Sequence, residues 1–267
     1  MTVSMDDSKS PSRLGRLFAA RGMGQVVTAA FGLVILCVVF GILNPIFFSG
    51  RNVGNLLRQI APILLIGIGQ SYVLITGNID LSIGSVVGMS CMVSATLMTM
   101  GMNPWVAVAV TLICCLMVGV LNGCLVAKFN LPPFIATLGT MTIARGIAQI
   151  VNNNYNTDSI GPAAEGFRNF FYYGRLGGLF NTIWISLALW LVFNFILSRT
   201  RLGRHIYATG SNKEAARLSG VDVVASTTAA YMVSAVCSCV VGLIVCATSG
   251  MGTMDAGNMY ELYAVAA

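Results

Sequence analysis

The chain has 267 residues and a net charge of +6; 56% of its residues are hydrophobic and 9% are charged. A soluble domain carries about 25% charged residues, so this composition leaves too few polar groups to cover a water-facing surface. Long continuous apolar runs argue against a membrane β-barrel, whose strands alternate over about ten residues. They predict an all-α, polytopic transmembrane helical bundle, because a membrane helix pairs its own backbone groups. The dispersed basic residues argue against nucleic-acid binding.

Seven stretches of the sequence are apolar enough to cross a membrane, which takes about 20 residues. In chain order they lie at residues 25–43, 59–77, 83–101, 104–127, 133–151, 180–198 and 224–249. A further helix is expected to begin near Tyr260, so we predict at least seven spans. Because a multi-pass protein should not end within a span, we expect the sequence to be truncated at its C-terminus.

The distribution of charge predicts how these spans are oriented. Residues 1–24 are polar and basic and are expected to form a cytoplasmic tail, with residues 25–267 forming the transmembrane domain. Six crossings then return the chain to the cytoplasm at residues 199–223. Cytoplasmic loops are rich in basic side chains, and this one carries Arg199, Arg201, Arg204, Lys213 and Arg217. We therefore predict a multi-pass protein whose N-terminus is cytoplasmic.

The sequence contains no motif that would give this chain a catalytic activity of its own. No phosphate-binding loop of the form G-x4-G-K-[ST] occurs, so the chain is not expected to hydrolyse ATP by itself. The eight cysteines lie in apolar runs without the paired spacing of a zinc site, and we assign no disulfide and no metal. We accordingly predict no catalytic residues, no bound cofactor and no enzymatic activity.

A short polar helix is predicted over residues 212–219, between two membrane segments. Ser211 and Glu214 have the spacing of a capping box, and Asn212 could also cap the helix. Gly220 suits the left-handed position that follows a helix end. One side of the helix is apolar, formed by Ala215, Leu218 and Val221. Such a helix either lies on the bilayer surface or docks in a groove of a partner.

Asp80 interrupts a long apolar region, where an ionised carboxylate is costly. One explanation is that Asp80 caps a helix that begins near Leu81. The other is a polar site at a broken membrane helix, of the kind that transporters use, extended by Asn78, Ser82 and Ser85. Both explanations remain open from the sequence.

Two pairs of glycines recur at the spacing that lets membrane helices approach closely. Gly84 and Gly88 form one pair, and Gly119 and Gly123 form the other, with Asn122 between them. The pairs indicate either static packing of the bundle or a helix interface that moves.

The segment that contains Glu214, Ala215, Ala216 and Gly220 resembles the E-A-A-x3-G motif of ABC importer permeases. Further blocks resemble the ribose/galactose-type (branched) sugar permeases in the order of that family: GNIDLSIGS at 77–85, PFIATLGT at 133–140, TRLGR at 200–204, YATG at 207–210, NKEAARLSGV at 212–221 and NMYEL at 258–262. The chain departs from the family pattern at Asn78, where a second Gly is common, and at Tyr263, where Asp is usual.

This resemblance implies the permease subunit of an ABC importer in a bacterial inner membrane, which translocates a monosaccharide or similar polyhydroxylated solute. It implies separate ATP-binding subunits that hold the ATP, a periplasmic or extracellular sugar-binding protein, and a second permease subunit, identical or homologous. It also implies that residues 199–223 form a coupling loop that contacts the ATPase through Glu214, Ala215, Ala216, Leu218 and Gly220. The alternatives are a gradient-driven secondary carrier and a non-transporting membrane scaffold.

Polar side chains inside the predicted spans are candidates for the solute pathway. Sugar hydroxyls need hydrogen-bond donors and acceptors, which Asn and Thr side chains supply. The candidates are Asn78, Asp80, Ser82, Asn122, Thr137 and Thr140. The alternative role for the residues within helices is hydrogen bonding between neighbouring helices. Arg145 is expected to lie near a helix end, to extend toward the membrane surface, or to pair with an acidic residue.

Overall fold

The computed structural model describes residues 23–266, so the predicted cytoplasmic tail at residues 1–24 lies almost entirely outside the described residues. Two compact units are distinguished, the first ending at Asn55 and the second beginning at Leu56. In the first unit, the rings of Phe40 and Phe47 stack with centroids 5.8 Å apart. The side chain of Asn52 donates a 2.7 Å hydrogen bond to the carbonyl of Phe47. This bond stabilises the turn at residues 45–49.

The long helices follow the apolar stretches predicted from the sequence. They are α1 (Met23–Leu43), α2 (Gly50–Ile75), α3 (Ile83–Thr99), α4 (Pro104–Ala127) and α5 (Pro133–Ile150), followed later by α7 (Asn181–Arg199) and α10 (Val223–Ser249). The largest difference is at α2, which begins at Gly50 rather than at residue 59. Its first turns carry Arg51, Asn52 and Arg58, which are compatible with a helix. Because these residues are polar, a search for apolar stretches does not include them.

Five helices among the described residues are long and apolar enough to cross a membrane: α1, α2, α4, α7 and α10. The apolar helix α3 has 17 residues, and at 1.5 Å per residue it spans about 25 Å of a hydrocarbon core of about 30 Å. Helix α5 has 18 residues and carries Arg145 and several threonines. The all-α membrane bundle is therefore confirmed, but the predicted count of at least seven spans is not.

Local capping explains where several helices begin and end. The side chain of Asn103 accepts a 2.9 Å hydrogen bond from the backbone N–H of Trp105 at the start of α4. At the start of α10, Asp222 accepts a 2.9 Å bond from the N–H of Ala225. Helix α10 ends at Gly250, whose φ of +71° is the left-handed conformation that glycine adopts readily.

Both predicted glycine pairs lie where another part of the chain approaches closely. A Cβ atom at Gly123 would overlap Thr228 of α10, and one at Gly119 would crowd the backbone of Met232. Gly84 and Gly88 instead face the backbone of the connection that follows α10. The glycines therefore permit α4 to approach α10, and α3 to approach a non-helical segment.

The non-helical segment, residues 250–259, runs along α3 before α11 (Tyr260–Ala266) begins. Arg145 on α5 donates hydrogen bonds of 3.1 and 3.0 Å to the carbonyls of Met254 and Ala256. Irregular backbone inside a membrane bundle needs such partners, because lipid offers none. The guanidinium of Arg145 thus bonds backbone carbonyls, which were not among the three alternatives that the sequence left open for it.

The connection between α5 and α7 is broken into short pieces. It contains a 3-10 turn (Pro162–Ala164), α6 (Glu165–Arg168), a π turn (Asn169–Tyr173) and a hairpin of β1 (Arg175–Leu176) and β2 (Leu179–Phe180). Arg168 holds this connection to the end of α10, because its Nε donates a 3.2 Å hydrogen bond to the carbonyl of Ala247.

Candidate functional site

A buried polar cluster surrounds Asp80, in the connection between α2 and α3. One carboxylate oxygen, Oδ1, accepts hydrogen bonds from the backbone N–H of Ser82 at 2.9 Å and from its hydroxyl at 2.6 Å. The other, Oδ2, accepts a 2.8 Å bond from the hydroxyl of Ser234 on α10. Asp80 is 3% exposed. Burial raises the pKa of the Asp80 carboxyl, and the hydrogen bonds from Ser82 and Ser234 oppose that rise.

The hydrogen bonds continue from Ser82 into α4 and α5. The side-chain amide of Asn122 donates a 2.9 Å bond to the hydroxyl of Ser82. The carbonyl oxygen of the same amide accepts a 2.6 Å bond from the hydroxyl of Thr140. Asp80, Ser82, Asn122 and Thr140 are therefore four predicted pathway residues that the structure joins in one chain, although they come from three separate parts of the sequence.

The two other predicted pathway residues lie outside this chain of hydrogen bonds. The hydroxyl of Thr137 donates to the carbonyl of Pro133, within α5, at 2.8 Å. The side-chain amide of Asn78 donates a 2.7 Å bond to the hydroxyl of Thr76. Asn78 thereby helps to shape the connection that carries Asp80.

Two residues of α10 complete the cluster and were missed by the reading of the sequence. Ser234 bonds Asp80, and the hydroxyl of Tyr231 donates a 3.1 Å bond to the carbonyl of Ile79. Both side chains are at most 1% exposed. The available signal was the spacing of Tyr231, Ser234 and Ser238, which places polar groups on one side of an otherwise apolar helix.

The cap predicted at Asp80 is present in a shifted form. Asp80 accepts the N–H of Ser82, the residue before the first residue of α3, and not an N–H inside the helix. The carboxylate therefore closes a turn before α3 and also bonds α10. In this conformation the cluster is enclosed, so a solute hydroxyl would have to replace protein partners to bind there.

The segment of residues 199–223, called the 199–223 segment below, contains one helix more than the sequence analysis predicted. Helix α8 (Arg201–Ser211) begins after Thr200, whose hydroxyl accepts a 3.3 Å bond from the N–H of Gly203. Its buried residues are Gly203, Ile206 and Thr209. Their spacing of three residues is the sequence signal for this helix, and small residues at two of the three positions weakened it.

The predicted short helix is α9 (Lys213–Leu218). Asn212 is its cap, accepting a 3.0 Å bond from the N–H of Ala215. The capping box at Ser211 is wrong, because Ser211 belongs to α8 and its hydroxyl donates to the carbonyl of Ala208. Gly220 follows the helix with φ +82°, as predicted.

The predicted apolar side of α9 does not pack on the bundle. Ala216 is the buried residue of this helix, whereas Leu218 is 89% exposed. Glu214 and Ala215 are also exposed. A cavity of about 410 Å³ lies beside α9, between the end of α4 and the start of α10. The charged side chains that line this cavity are Lys128, Lys213, Glu214, Arg217 and Asp222.

The 199–223 segment has two contacts with the end of α2 and the connection that carries Asp80. A Cβ atom at Gly210 would overlap the carbonyl oxygen of Ile75, the last residue of α2. Lys213 Nζ donates a 3.4 Å hydrogen bond to the side-chain oxygen of Asn78. The short helix and the buried cluster are therefore linked through residues 75–80.

Comparison with protein families agrees with this architecture. The model of the family described as branched-chain amino acid transport system, permease component, matches residues 52–267. No solved structure matches the chain.

Several characterised bacterial permeases are similar to most of the chain. The D-allose transport system permease protein of Escherichia coli (strain K12) is 36% identical over 238 residues, which cover 88% of this chain and 72% of that protein. The ribose import permease protein of Bacillus subtilis (strain 168) is 33% identical, covering 92% and 76%. The galactose/methyl galactoside import permease protein of Haemophilus influenzae is 32% identical, covering 87% and 75%.

Proposed function

This chain belongs to the family of branched-chain amino acid transport system permease components, and we propose that it is the membrane-spanning permease subunit of a bacterial ABC importer. The proposed solute is a monosaccharide or a similar small polyhydroxylated molecule, moved at the expense of ATP that separate subunits hydrolyse. The observation that carries this proposal is the identity of 31–36% to permeases of D-allose, ribose and galactose importers along most of the chain.

The family description names branched-chain amino acids, so an amino acid is the second candidate solute. The sugar is favoured because the relatives cited above are all named as sugar permeases. The buried cluster also suits a neutral polyol, since its groups other than Asp80 are hydroxyls and an amide, and Asp80 is engaged by Ser82 and Ser234. The carboxylate of an amino acid would find no cationic partner among these cluster residues.

Helix α9 is proposed to transmit force from the ATP-binding subunit. Its side chains Glu214, Ala215 and Leu218 are exposed and available to a partner, while Ala216 holds the helix to the bundle. An exposed leucine beside charged residues suits a docked helix, because burying its side chain against a partner is favourable. Gly220 allows the sharp turn that places α9 between α8 and α10.

The remaining partners follow the same proposal. A sugar-binding protein delivers the solute to the periplasmic or extracellular side, and a second permease subunit, identical or homologous, forms the other half of the pathway. The N-terminus is proposed to be cytoplasmic in the inner membrane, since this places the basic residues 199–223 on the cytoplasmic side. The proposed solute pathway runs near Asn78, Asp80, Ser82, Asn122, Thr137 and Thr140.

A gradient-driven carrier is the rival mechanism. Proton-coupled carriers relay protons through several buried acidic groups. Among the described residues, Asp80 is the one buried carboxylate. A relay with a single acidic group is a poor fit to proton coupling, so ATP bound by a partner is the favoured energy source.

Reconstitution tests the proposal and its rivals together. Proteoliposomes would contain the permease with its ATP-binding subunit and sugar-binding protein, and labelled allose, ribose, galactose or leucine would be supplied outside. We expect uptake of a sugar that depends on internal ATP. Uptake of leucine alone would contradict the proposed solute, and uptake driven by a proton or sodium gradient without ATP would contradict the mechanism. If the chain takes up no solute and binds no ATPase, the result would support the alternative that it is a non-transporting membrane scaffold.

A further inference from the structure

Gln70 is a fully buried amide on α2, with 0% of its side chain exposed. Neither its nitrogen nor its oxygen makes a hydrogen bond to any of the residues that the structure describes. Buried amides are nearly always paired, because an unpaired donor or acceptor has lost its water without replacement. Gln70 therefore has donors and an acceptor that none of the described residues uses.

Neighbouring contacts place Gln70 at the level of the Asp80 cluster. A Cβ atom at Gly69 would lie 2.9 Å from the Cα of Ser234, so this part of α2 packs directly on α10 at Ser234. Ser234 in turn bonds the carboxylate of Asp80. The residue after Gly69 thus lies at the depth of the cluster.

Gln70 lies on the side of α2 that faces α4 and α5. Val73, almost one turn further along, packs in one cluster with Val126 of α4 and Ala136 of α5. Asn122 precedes Val126 by one turn, and Thr140 follows Ala136 by one turn. Because α2 and α4 run in the same direction and α5 runs in the opposite one, all three polar residues lie on the same side of this apolar layer.

A second unpaired group lies about one helical turn from Ser82. The hydroxyl of Ser85 is buried and has no hydrogen-bond partner among the described residues. Ser85 follows Ser82 by almost one turn of α3, and Ser82 accepts the hydrogen bond of Asn122. Gln70 and Ser85 are thus two unpaired polar side chains at the level of the paired Asn122 and Thr140.

We propose that Gln70 and Ser85, together with Asn122 and Thr140, form the site that binds the hydroxyl groups of the solute inside the bundle. This inference rests on the proposed function and adds the residues that recognise the solute. Each sugar hydroxyl is both a donor and an acceptor, and the amide of Gln70 offers two donors and one acceptor oxygen. The four side chains are at most 2% exposed, so the structure has this site closed to both sides of the membrane.

The experiment compares Gln70→Leu and Ser85→Ala with wild type in proteoliposomes that contain the ATP-binding subunit and the sugar-binding protein. Initial uptake rates are measured over a range of sugar concentrations. We expect Gln70→Leu to raise the half-saturating sugar concentration or lower the maximal rate by about ten-fold, as for the loss of one good hydrogen bond. Thr96→Val is the matched control, since Thr96 is another buried, unpaired hydroxyl, near the far end of α3. It should transport as wild type does.

A structural role is separated from a binding role by stability and by sugar preference. Gln70→Leu removes an unpaired amide, so its melting temperature in detergent should stay the same or rise while transport falls. If the leucine variant does not fold, Gln70→Asn replaces it, and its relative rates for allose, ribose and galactose should differ from those of wild type. Unchanged concentration dependence and preference in all these variants would overturn the site while leaving the importer assignment intact. Absence of sugar uptake by wild type would instead overturn the proposed function, and this site with it.

Discussion

Gly210, near the end of α8, packs against the carbonyl oxygen of Ile75, the last residue of α2. This contact, together with the hydrogen bond from Lys213 to Asn78, connects the 199–223 segment to the residues that hold Asp80. Movement of α9 by a partner would therefore reach the buried cluster through residues 75–80 as well as through α10.

We expect Gly210→Ala to separate α8 from α2, since its methyl group has no room beside the Ile75 carbonyl. Overpacking of this kind costs about 1–3 kcal/mol, so the melting temperature in detergent should fall and ATP-driven uptake should decrease. Gly139→Ala is the control, because an added methyl group there meets no atom within 4 Å. An equally stable and active Gly210→Ala variant would show that the contact can be opened freely.

Leu218→Ser should weaken binding of the ATP-binding subunit without affecting the fold. The side chain is 89% exposed, so the bundle loses little by its removal, whereas an apolar anchor at the centre of an interface is often worth about 2 kcal/mol. The measurement is the affinity of the purified permease for the ATPase, with an expected loss of about ten-fold or more. Leu176→Ser, an exposed leucine in the β1–β2 hairpin, should bind as wild type does.

Asp80→Asn and Asp80→Ala should differ in stability. The alanine variant leaves the Ser82 and Ser234 groups without their acceptor, and each buried unpaired group costs about 1–3 kcal/mol. The asparagine variant keeps one acceptor oxygen, and its neutrality resembles the protonated form that burial favours. Thermal unfolding should therefore rank wild type and Asp80→Asn well above Asp80→Ala. Normal sugar uptake by Asp80→Asn would exclude an essential charge at this position.

Arg145→Met should loosen the connection at residues 250–259. The variant removes the guanidinium that bonds the carbonyls of Met254 and Ala256, and a hydrogen bond to a charged group contributes about 1.5–3 kcal/mol. Limited proteolysis of the detergent-solubilised protein should show faster cleavage in this connection. Arg201→Met, which removes an exposed arginine at the start of α8, serves as the control and should not change the cleavage rate.

The amino-acid sequence by itself determined the membrane class, the positions of the long helices and the short helix α9. These features depend on residues that are neighbours in the chain. A continuous apolar stretch forms a membrane helix because its backbone groups pair within the stretch. Likewise Asn212 and Gly220 act on the backbone within a few residues of themselves. The first turns of α2 and the whole of α8 were not predicted, because these helical segments carry too few apolar residues.

Only the tertiary structure decided which polar side chains meet. Ser234 lies 154 residues from Asp80, and Thr140 lies 18 residues from Asn122, yet both pairs are hydrogen bonded. The sequence marked Asp80, Asn122 and Thr140 as polar groups in apolar surroundings, but it did not supply Ser234 or Tyr231. The physical reason is that contacts between helices depend on the rotation and depth of each helix. Those are set by close packing at residues such as Gly69 and Gly123, which contact Ser234 and Thr228 on a helix far away in the chain.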